Sequence, residues 1–187
     1  MLVYASIGIS GSGKSHYYKI LKHDINPLVQ EINKDEIRKE ITGNISDLDH
    51  EKDVAIVFHD ELQHFTELNI PVYCSNTNLK AKYLTDIINT CMPLVKDNGL
   101  DLRLLIFKAS EDPEACKERV KADLGKGRER SKTLEPVYKE GKNYPTVIDW
   151  QYDEFMSFIG EGRLDDYIEQ MTKRYPDLTI SKKYIED

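Results

Sequence analysis

The sequence predicts an α/β fold: a parallel sheet of four or five strands sandwiched by helices, with a helical lid and a C-terminal extension. Short apolar runs alternate along the chain with segments whose apolar residues recur every three or four positions. Residues 102–107 are almost wholly apolar, as in a central strand that is buried on both faces of a parallel sheet. The first apolar run, residues 2–8, leads through a glycine-rich loop directly into a helix-type segment.

The N-terminal half of the chain contains six predicted elements. They are, in chain order, a strand at about 2–8, a helix at 14–23, a strand at 28–33, a helix at 35–41, a helix at 49–68 and a strand at 70–74. The second strand follows a turn at Pro27, and the short helix after it is ended by Gly43. The long helix is amphipathic, since Val54, Phe58 and Leu62 and their apolar neighbours recur at spacings of three and four.

The C-terminal half contains five further predicted elements. They are a helix at about 79–96, a strand at 102–107, a helix at 111–124, a short helix at 135–140 and a helix at 164–175. The first of these helices is expected to stop before Gly99. Pro113 belongs to a capping sequence that starts the next helix, and Gly141 is expected to end the short one.

Length and composition favour one domain in residues 1–187, with a core at 1–140, a lid at 125–133 and a C-terminal extension at 141–187. The lid is too charged to be core. In the extension, aromatic and apolar residues at near-helical spacing favour core positions over stacking on nucleobases: Trp150, Phe155, Phe158 and Ile159.

Charge and cysteine usage limit the functional classes. The net charge of −7 argues against general nucleic-acid binding, although an acceptor can still bind in a locally basic cleft. Three cysteines form no metal-ligand pair and leave an odd one, so we expect a reducing compartment. No apolar stretch approaches membrane-spanning length, and we expect a cytoplasmic protein without a membrane partner.

Residues 8–15 fit the P-loop pattern G-x-x-x-x-G-K-[ST] between the first strand and the first helix. Glycines let backbone N–H groups turn inward around phosphates, and the helix N-terminus adds partial positive charge. Lys14 is expected to reach the β- and γ-phosphates, and the Ser15 hydroxyl to ligate Mg²⁺. The flanking strand and helix disfavour an ordinary glycine–serine turn. The expected nucleotide-binding residues are Gly8, Ser10, Gly11, Ser12, Gly13, Lys14 and Ser15.

Residues 33–38 follow the second strand, at the edge of the sheet where ligands of open α/β folds bind. Asp35 can accept the proton of an attacking hydroxyl there, and Arg38, one helical turn later, can hold Asp35 or an acceptor phosphate. On spacing alone, a helix N-cap at Asp35 with a solvated Arg38 explains the pattern equally well.

Residues 75–79 and the lid add two weaker signals. The segment 75–79, Ser-Asn-Thr-Asn-Leu, follows the third strand, where an acceptor site needs polar groups; a Ser/Asn turn that caps the next helix is the alternative. Lysines and arginines concentrate in residues 117–132 and favour a surface that closes on phosphates. Interleaved acidic residues also permit a solvated helix and loop.

Taken together, residues 8–15, 33–38 and 75–79 resemble the kinase domain of the 5′-hydroxyl polynucleotide kinases of phages. That family has a P-loop, a basic-Asp-x-x-Arg motif after the second strand, a Ser-Asp-Thr-Asn-Leu segment after the third strand, and an arginine-bearing lid. The likeness covers about residues 2–140 and implies a P-loop kinase fold.

The resemblance implies ATP as phosphate donor, Mg²⁺ as cofactor and nucleic-acid 5′ ends as acceptor. Lys14 would be catalytic at the donor phosphates, Asp35 would be the general base on the 5′-hydroxyl, and Arg38 would be its partner at the acceptor phosphate. Arg128 would stabilise the transferring phosphoryl group, with Arg130 as the alternative lid arginine and a nucleotide contact. The implied acceptor-binding residues are Lys34, Asp35, Arg38, Asn76, Thr77 and Asn78.

The sequence also departs from the family pattern. Asn76 replaces the family's aspartate after the third strand, which weakens any role of a carboxylate near Mg²⁺. Lys34 stands where arginine is frequent, which keeps the charge but loses the bidentate fork. No Asp-x-Asp-Gly-Thr motif occurs, so the phosphatase half of some family members is missing.

Three functional hypotheses follow. The first is an ATP- and Mg²⁺-dependent kinase of 5′-hydroxyl ends of DNA or RNA. The second is a P-loop kinase of a sugar, nucleoside or antibiotic hydroxyl, which the acidic net charge suits better. The third is a non-enzymatic, nucleotide-switched binding module, against which the presence of Lys14, Ser15 and Asp35 counts.

Overall fold

The computed structural model of the chain describes residues 1–95, 99–160 and 162–186. Its strands and helices are, in chain order, β1 (Leu2–Ile7), α1 (Lys14–Ile20), β2 (Gln30–Ile32), α2 (Lys34–Thr42), α3 (Glu51–Glu67), β3 (Val72–Cys74), α4 (Ala81–Cys91), β4 (Leu100–Phe107), α5 (Pro113–Gly125), β5 (Val137–Lys139), β6 (Lys142–Tyr144), α6 (Val147–Ile159), α7 (Arg163–Arg174) and β7 (Leu178–Ile185). A π-helical turn, Leu21–Ile25, extends α1, and a 3₁₀ turn, Lys108–Glu111, precedes α5.

Five parallel strands form one sheet in the order β2-β3-β1-β4-β7, flanked by helices, and this confirms the predicted α/β fold with its parallel sheet. The prediction that the lid is helical is wrong, because α5 ends at Gly125 and residues 126–133 form turns and irregular chain. Since parallel strands end at the same edge, the loops after β1, β2 and β3 lie together. These loops contain the P-loop, Asn33 and residues 75–79. The sheet therefore brings the three sequence motifs to one edge.

Most predicted elements are confirmed with small shifts of their ends. The helix predicted at 79–96 ends at Cys91, while Lys96 and Asn98 lie outside the described residues. The fifth strand, β7, pairs with β4 along its whole length, from Leu100 opposite Leu178 to Phe107 opposite Ile185. The extension thus completes the sheet.

The helix predicted at 135–140 is wrong. The chain forms a two-stranded antiparallel hairpin of β5 and β6 instead. Glu140 and Gly141, which join the strands, have φ angles of 53° and 81°. Two consecutive left-handed residues form the tight turn whose twist matches a hairpin, so turn chemistry overrides helix propensity here.

The core continues into the extension through α6 and α7. Phe155 and Phe158 are buried as expected, whereas Trp150 and Ile159 are only partly buried. The buried apolar residues of this segment are Ile148, Phe155, Phe158, Leu164, Tyr167 and Met171. None of the described helices has the length and hydropathy that crossing a membrane requires.

The Phe155→Ala variant tests whether α6 is part of the core. Phe155 is 1% exposed, so removing its ring is expected to lower the free energy of unfolding by about 3–5 kcal/mol in urea denaturation. Met156, the next residue, is 39% exposed, and Met156→Ala is expected to cost less than about 1 kcal/mol. Equal losses for the two variants would contradict the packing of α6.

Candidate functional site

A cavity of about 750 Å³ opens at the edge of the sheet where β1, β2 and β3 end. The P-loop, the first turn of α2, the loop after β3 and the lid line it from different sides. The sequence-predicted site residues that line it are Ser10, Gly11, Gly13, Lys14, Ser15, Lys34, Asp35, Arg38, Asn76, Thr77, Asn78, Arg128 and Arg130. Gly8 and Ser12 lie behind this surface in the same loop, and Ser12 is buried.

The start of the P-loop is tethered from outside by three different segments. The N–H of Gly8 donates to the carbonyl of Thr77 at 3.1 Å. The N–H of Ile9 donates to the hydroxyl of Ser110 at 3.1 Å. The N–H of Ser10 donates to Oε1 of Gln151 at 2.8 Å. These bonds fix the direction in which the rest of the loop turns.

The end of the P-loop presents its N–H groups to the cavity. Gly11, Gly13, Lys14 and Ser15 line the cavity, and their N–H groups have no hydrogen-bond acceptor among the described residues. Lys14 and Ser15 are also the first residues of α1, where N–H groups have no intrahelical acceptor and the helix adds partial positive charge. This end of the loop therefore fits the phosphates of a nucleotide.

At Gly11 the backbone of α5 leaves no room for a side chain. The φ of Gly11 is +83°, and a Cβ atom there would lie 2.4 Å from the carbonyl oxygen of Cys116 in α5. Gly13 has a similar φ of +95°, but a Cβ atom there would meet no atom within 4 Å. Gly11 is thus required by both conformation and packing, and Gly13 by conformation alone.

The ammonium group of Lys14 is partly buried and donates to the carbonyls of Gly8 at 3.0 Å and Ile9 at 2.7 Å. Burial lowers the pKa of Lys14 to about 8. The negative charge of Asp35 raises this pKa and the positive charge of Arg130 lowers it further. Lys14 therefore lies within the electrostatic reach of both the α2 carboxylate and the lid.

Asp35 is held in the first turn of α2 by the buried guanidinium of Arg38. Nη1 of Arg38 donates to Oδ1 of Asp35 at 2.6 Å and to the carbonyl of Ile45 at 3.1 Å. Nε and Nη2 both lie against Oε1 of Glu51, at 2.7 and 2.6 Å. The side chain of Asp35 is 45% exposed, so its carboxylate is both oriented and accessible.

These contacts overturn the alternative explanation of the Asp35 motif. The N-cap of α2 is Asn33, whose side chain accepts from the N–H of Asp35 at 2.8 Å, and so Asp35 is not the cap. Arg38 is 5% exposed and is not a solvated helix residue. Glu51, which the sequence did not single out, is an essential part of this arrangement.

The loop after β3 connects the start of α2 to the end of β1 and the P-loop. The side-chain oxygen of Asn76 accepts from the N–H of Lys34 at 3.0 Å. The buried amide of Asn78 donates to the carbonyl of Ser6 at 2.8 Å. The next helix, α4, has no side-chain cap, so this segment is not the capping turn that its composition permitted.

Lys34 lies between two aromatic rings on the far wall of the cavity. Its ammonium is 5.0 Å from the ring centroid of Phe58 and 5.9 Å from that of Tyr83. Burial lowers the pKa of Lys34, while the charges of Glu51 and Asp86 raise it. Neither aromatic residue belongs to a sequence motif, so the sequence does not predict that they line the cavity.

The two lid arginines share one carboxylate on α5. Arg128 pairs with Asp123 at 2.8 Å, and Arg130 pairs with the other oxygen of the same carboxylate. Between them, Glu129 pairs with Lys39 of α2 at 2.6 Å, which connects the lid to α2. Both arginines line the cavity, and the charge of Arg130 is the one that acts on Lys14.

The other basic residues of 117–132 divide into two groups. Arg119 and Lys126 line the cavity with the lid arginines. The others pair with carboxylates: Lys117 with Asp149 at 2.7 Å, Lys121 with Glu118 at 2.6 Å and Lys132 with Glu135 at 3.7 Å. Only part of the basic cluster therefore faces the site.

The side chains around the cavity fit a Mg²⁺ ion that is bound chiefly through phosphates. Within the described ranges, no group of three or more His, Cys, Asp or Glu side chains is placed to hold a metal ion. At phosphate sites Mg²⁺ commonly takes one or two protein ligands and completes its shell with phosphates and water. The Ser15 side chain, on a residue lining the cavity beside the loop amides, matches such a site.

Comparison with known proteins places the chain among nucleotide-binding folds. A family model described as AAA domain matches residues 3–144. No curated protein matches the chain. Among solved structures 66 chains match.

Two of the solved structures illustrate the likeness. A chain of the Pnkp1/Rnl/Hen1 complex is 16% identical with a TM-score of 0.51, covering 77% of this chain and 45% of that chain. This protein thus spans less than half the length of that structural relative. A gluconokinase from Sinorhizobium meliloti 1021 is also 16% identical, with a TM-score of 0.45, and covers 97% of this chain and 82% of that one. At this identity the likeness concerns the fold alone.

The pair Gly11→Ala and Gly13→Ala tests the geometry of the P-loop. Both variants pay the cost of a left-handed alanine, roughly 1–2 kcal/mol. Gly11→Ala must also displace the backbone of Cys116, so its free energy of unfolding is expected to fall clearly further in urea denaturation. A Gly13→Ala variant that is equally or more destabilised would contradict the close contact between the loop and α5.

Proposed function

The chain belongs to the AAA domain family, and on this premise we propose that it is a kinase that transfers the γ-phosphate of ATP to the 5′-hydroxyl end of DNA or RNA. The family match and the P-loop kinase-like fold support a phosphotransferase, and such a fold implies ATP as the donor. The observation that carries the proposal is that Asp35, oriented by Arg38, shares one cavity with Lys14 of the P-loop.

In the proposed reaction the loop amides and Lys14 bind the donor phosphates. The carboxylate of Asp35 takes the proton of the acceptor hydroxyl while the hydroxyl oxygen attacks the γ-phosphorus. The bond between the γ-phosphorus and the β–γ bridging oxygen breaks, and ADP is released. Mg²⁺, held by Ser15 and the phosphates, would neutralise charge on the transferring group. Catalysis then rests mainly on positioning and charge stabilisation.

Arg38 contributes chiefly by fixing Asp35 in this proposal. Four of its five N–H donors are directed at Asp35, Ile45 and Glu51, which leaves one for an acceptor phosphate. Because Arg38 is buried, the proton acceptor is aligned before the substrate arrives.

The charge of the cavity supports a nucleic-acid acceptor. Eight lysines and arginines line it against six carboxylates, although the chain as a whole carries 26 basic and 33 acidic residues. The cleft is thus locally basic in an acidic protein, which is the condition under which phosphate-rich acceptors bind. The motif resemblance at residues 33–38 points to the same acceptor class.

A small-molecule hydroxyl is the second candidate acceptor. A cavity of about 750 Å³ lies within the range of ordinary small-ligand pockets, so it suits a compact acceptor placed beside the nucleotide. Acidic side chains on the acceptor wall, Glu51 and Asp86, are also suited to binding sugar hydroxyls.

An acceptor panel with γ-labelled ATP separates the two candidates. The label is expected on a 5′-hydroxyl oligonucleotide and not on the same oligonucleotide carrying a 5′-phosphate. Gluconate, nucleosides and an aminoglycoside serve as the small acceptors. Label on one of these but not on either DNA or RNA would overturn the nucleic-acid proposal and leave the kinase assignment standing.

Asp35→Ala tests the proposed base. Loss of the carboxylate is expected to lower kcat by roughly 10²–10⁴-fold while ATP still binds, since Asp35 is proposed to act on the acceptor. The matched control is Glu36→Ala, which removes the adjacent, exposed carboxylate that also lines the cavity and is expected to leave kcat unchanged. Full activity of Asp35→Ala would remove it from the mechanism.

The two lid arginines are expected to differ in single-alanine variants. Arg128→Ala should lower kcat on the order of 10³-fold with little change in ATP affinity, as expected of a residue that stabilises the transferring group. Arg130→Ala should weaken ATP binding, because its charge acts at Lys14. Titration of nucleotide binding and steady-state kinetics distinguish these effects, and the reverse pattern would exchange the two roles.

A further inference from the structure

One polar residue interrupts the core-facing stripe of α6. The buried residues of this helix are Ile148, Gln151, Phe155 and Phe158, at spacings of three and four. Gln151 is 8% exposed, and a glutamine is rarely this buried without a specific partner. Residue 151 also lies beyond the segment that the family model matches, residues 3–144.

The side-chain oxygen of Gln151 is committed to the P-loop. Oε1 accepts the N–H of Ser10 at 2.8 Å, and since a backbone N–H can only donate, this bond fixes which end of the amide faces the loop. The NH₂ group is therefore the free end of the side chain. Across the residues that the structure describes, this Nε2 atom has no hydrogen-bond partner, and Gln151 is part of the cavity wall.

The position of Gln151 is fixed before any ligand binds. The first residues of α6 bond to the end of the lid, since the N–H of Ile148 donates to the carbonyl of Thr133 at 3.2 Å. Asp149 pairs with Lys117 of α5 at 2.7 Å and accepts from the hydroxyl of Thr146 at 2.7 Å. Gln151 follows these anchors within one helical turn.

We propose that Gln151 is a nucleotide-phosphate-binding residue supplied by α6, whose NH₂ group donates to a phosphate oxygen beside the P-loop. The inference rests on the proposed binding of ATP in this cavity, and it does not depend on the identity of the acceptor. The oxygen of the Gln151 amide orients the loop through Ser10, and its nitrogen adds a neutral donor to the unpartnered loop amides of residues 11 and 13–15. Neutral donors of this kind bind phosphate without adding charge to the cavity.

Gln151→Glu tests the donor role of the side chain most directly. A glutamate keeps an oxygen that accepts from Ser10, loses the donor and adds a negative charge next to the phosphates. Its affinities for ATP and for inorganic tripolyphosphate, both with Mg²⁺ at pH 8, are expected to fall by at least about tenfold. The matched control is Gln170→Glu on α7, which adds the same charge at an exposed position and should bind both ligands as the unaltered protein does.

A second variant removes the donor without adding charge. Gln151→Met has a similar length and is expected to weaken both ligands in the same direction, with the folded fraction checked by urea denaturation. Unchanged binding in Gln151→Met or in Gln151→Glu would limit Gln151 to a purely structural bond with Ser10 and overturn the proposal. Weakened binding of ATP but not of tripolyphosphate would overturn it too, because the contact would then be to the nucleoside.

Binding of ATP and tripolyphosphate to the unaltered protein distinguishes a failure of this proposal from a failure of the proposed function. If it binds neither ATP nor tripolyphosphate, the nucleotide site itself fails, and the inference about Gln151 fails with it. If it binds both and the two variants do so equally well, only the assignment of Gln151 fails.

Discussion

The nucleotide side of the cavity depends on the direction in which the backbone N–H groups of the P-loop point. A glycine-rich loop has many accessible conformations, so its shape must be imposed by partners outside it. The carbonyl of Thr77, the hydroxyl of Ser110 and the amide of Gln151 each accept one N–H from residues 8–10. With these three N–H groups bonded to other segments and that of Ser12 bonded to Ile9, the amides of Gly11 and of residues 13–15 are left for phosphates.

The α2 side of the cavity depends on a second arrangement, in which a buried arginine aligns an accessible carboxylate. Arg38 cannot be buried without negative partners, and Asp35 and Glu51 supply them. The charge of Asp35 raises the pKa of Lys14 and that of Arg130 lowers it, so groups of α2 and the lid both act on the lysine of the P-loop. A phosphoryl group in transfer would occupy that region in the proposed mechanism.

Motifs predicted the sheet and the parts of the site that are local in sequence, because a parallel sheet brings the ends of its strands to one edge. Sequence reasoning did not find Glu51 or Gln151, since neither belongs to a motif and both reach the site only through helix packing. The hairpin at Glu140 and Gly141 was missed because left-handed turn residues decided a segment whose composition permits a helix. Strand β7 is rich in lysine and polar residues, so its pattern did not stand out.

Residue-level amide hydrogen exchange by NMR tests the central claim that outside partners shape the P-loop and leave its last amides for phosphates. Without nucleotide, the amides of Gly8, Ile9 and Ser10 are expected to exchange slowly, and those of Gly13, Lys14 and Ser15 to exchange fast. Adding ATP with Mg²⁺ should protect the second group. Uniformly fast exchange across residues 8–15 without nucleotide, or no new protection with it, would contradict the account.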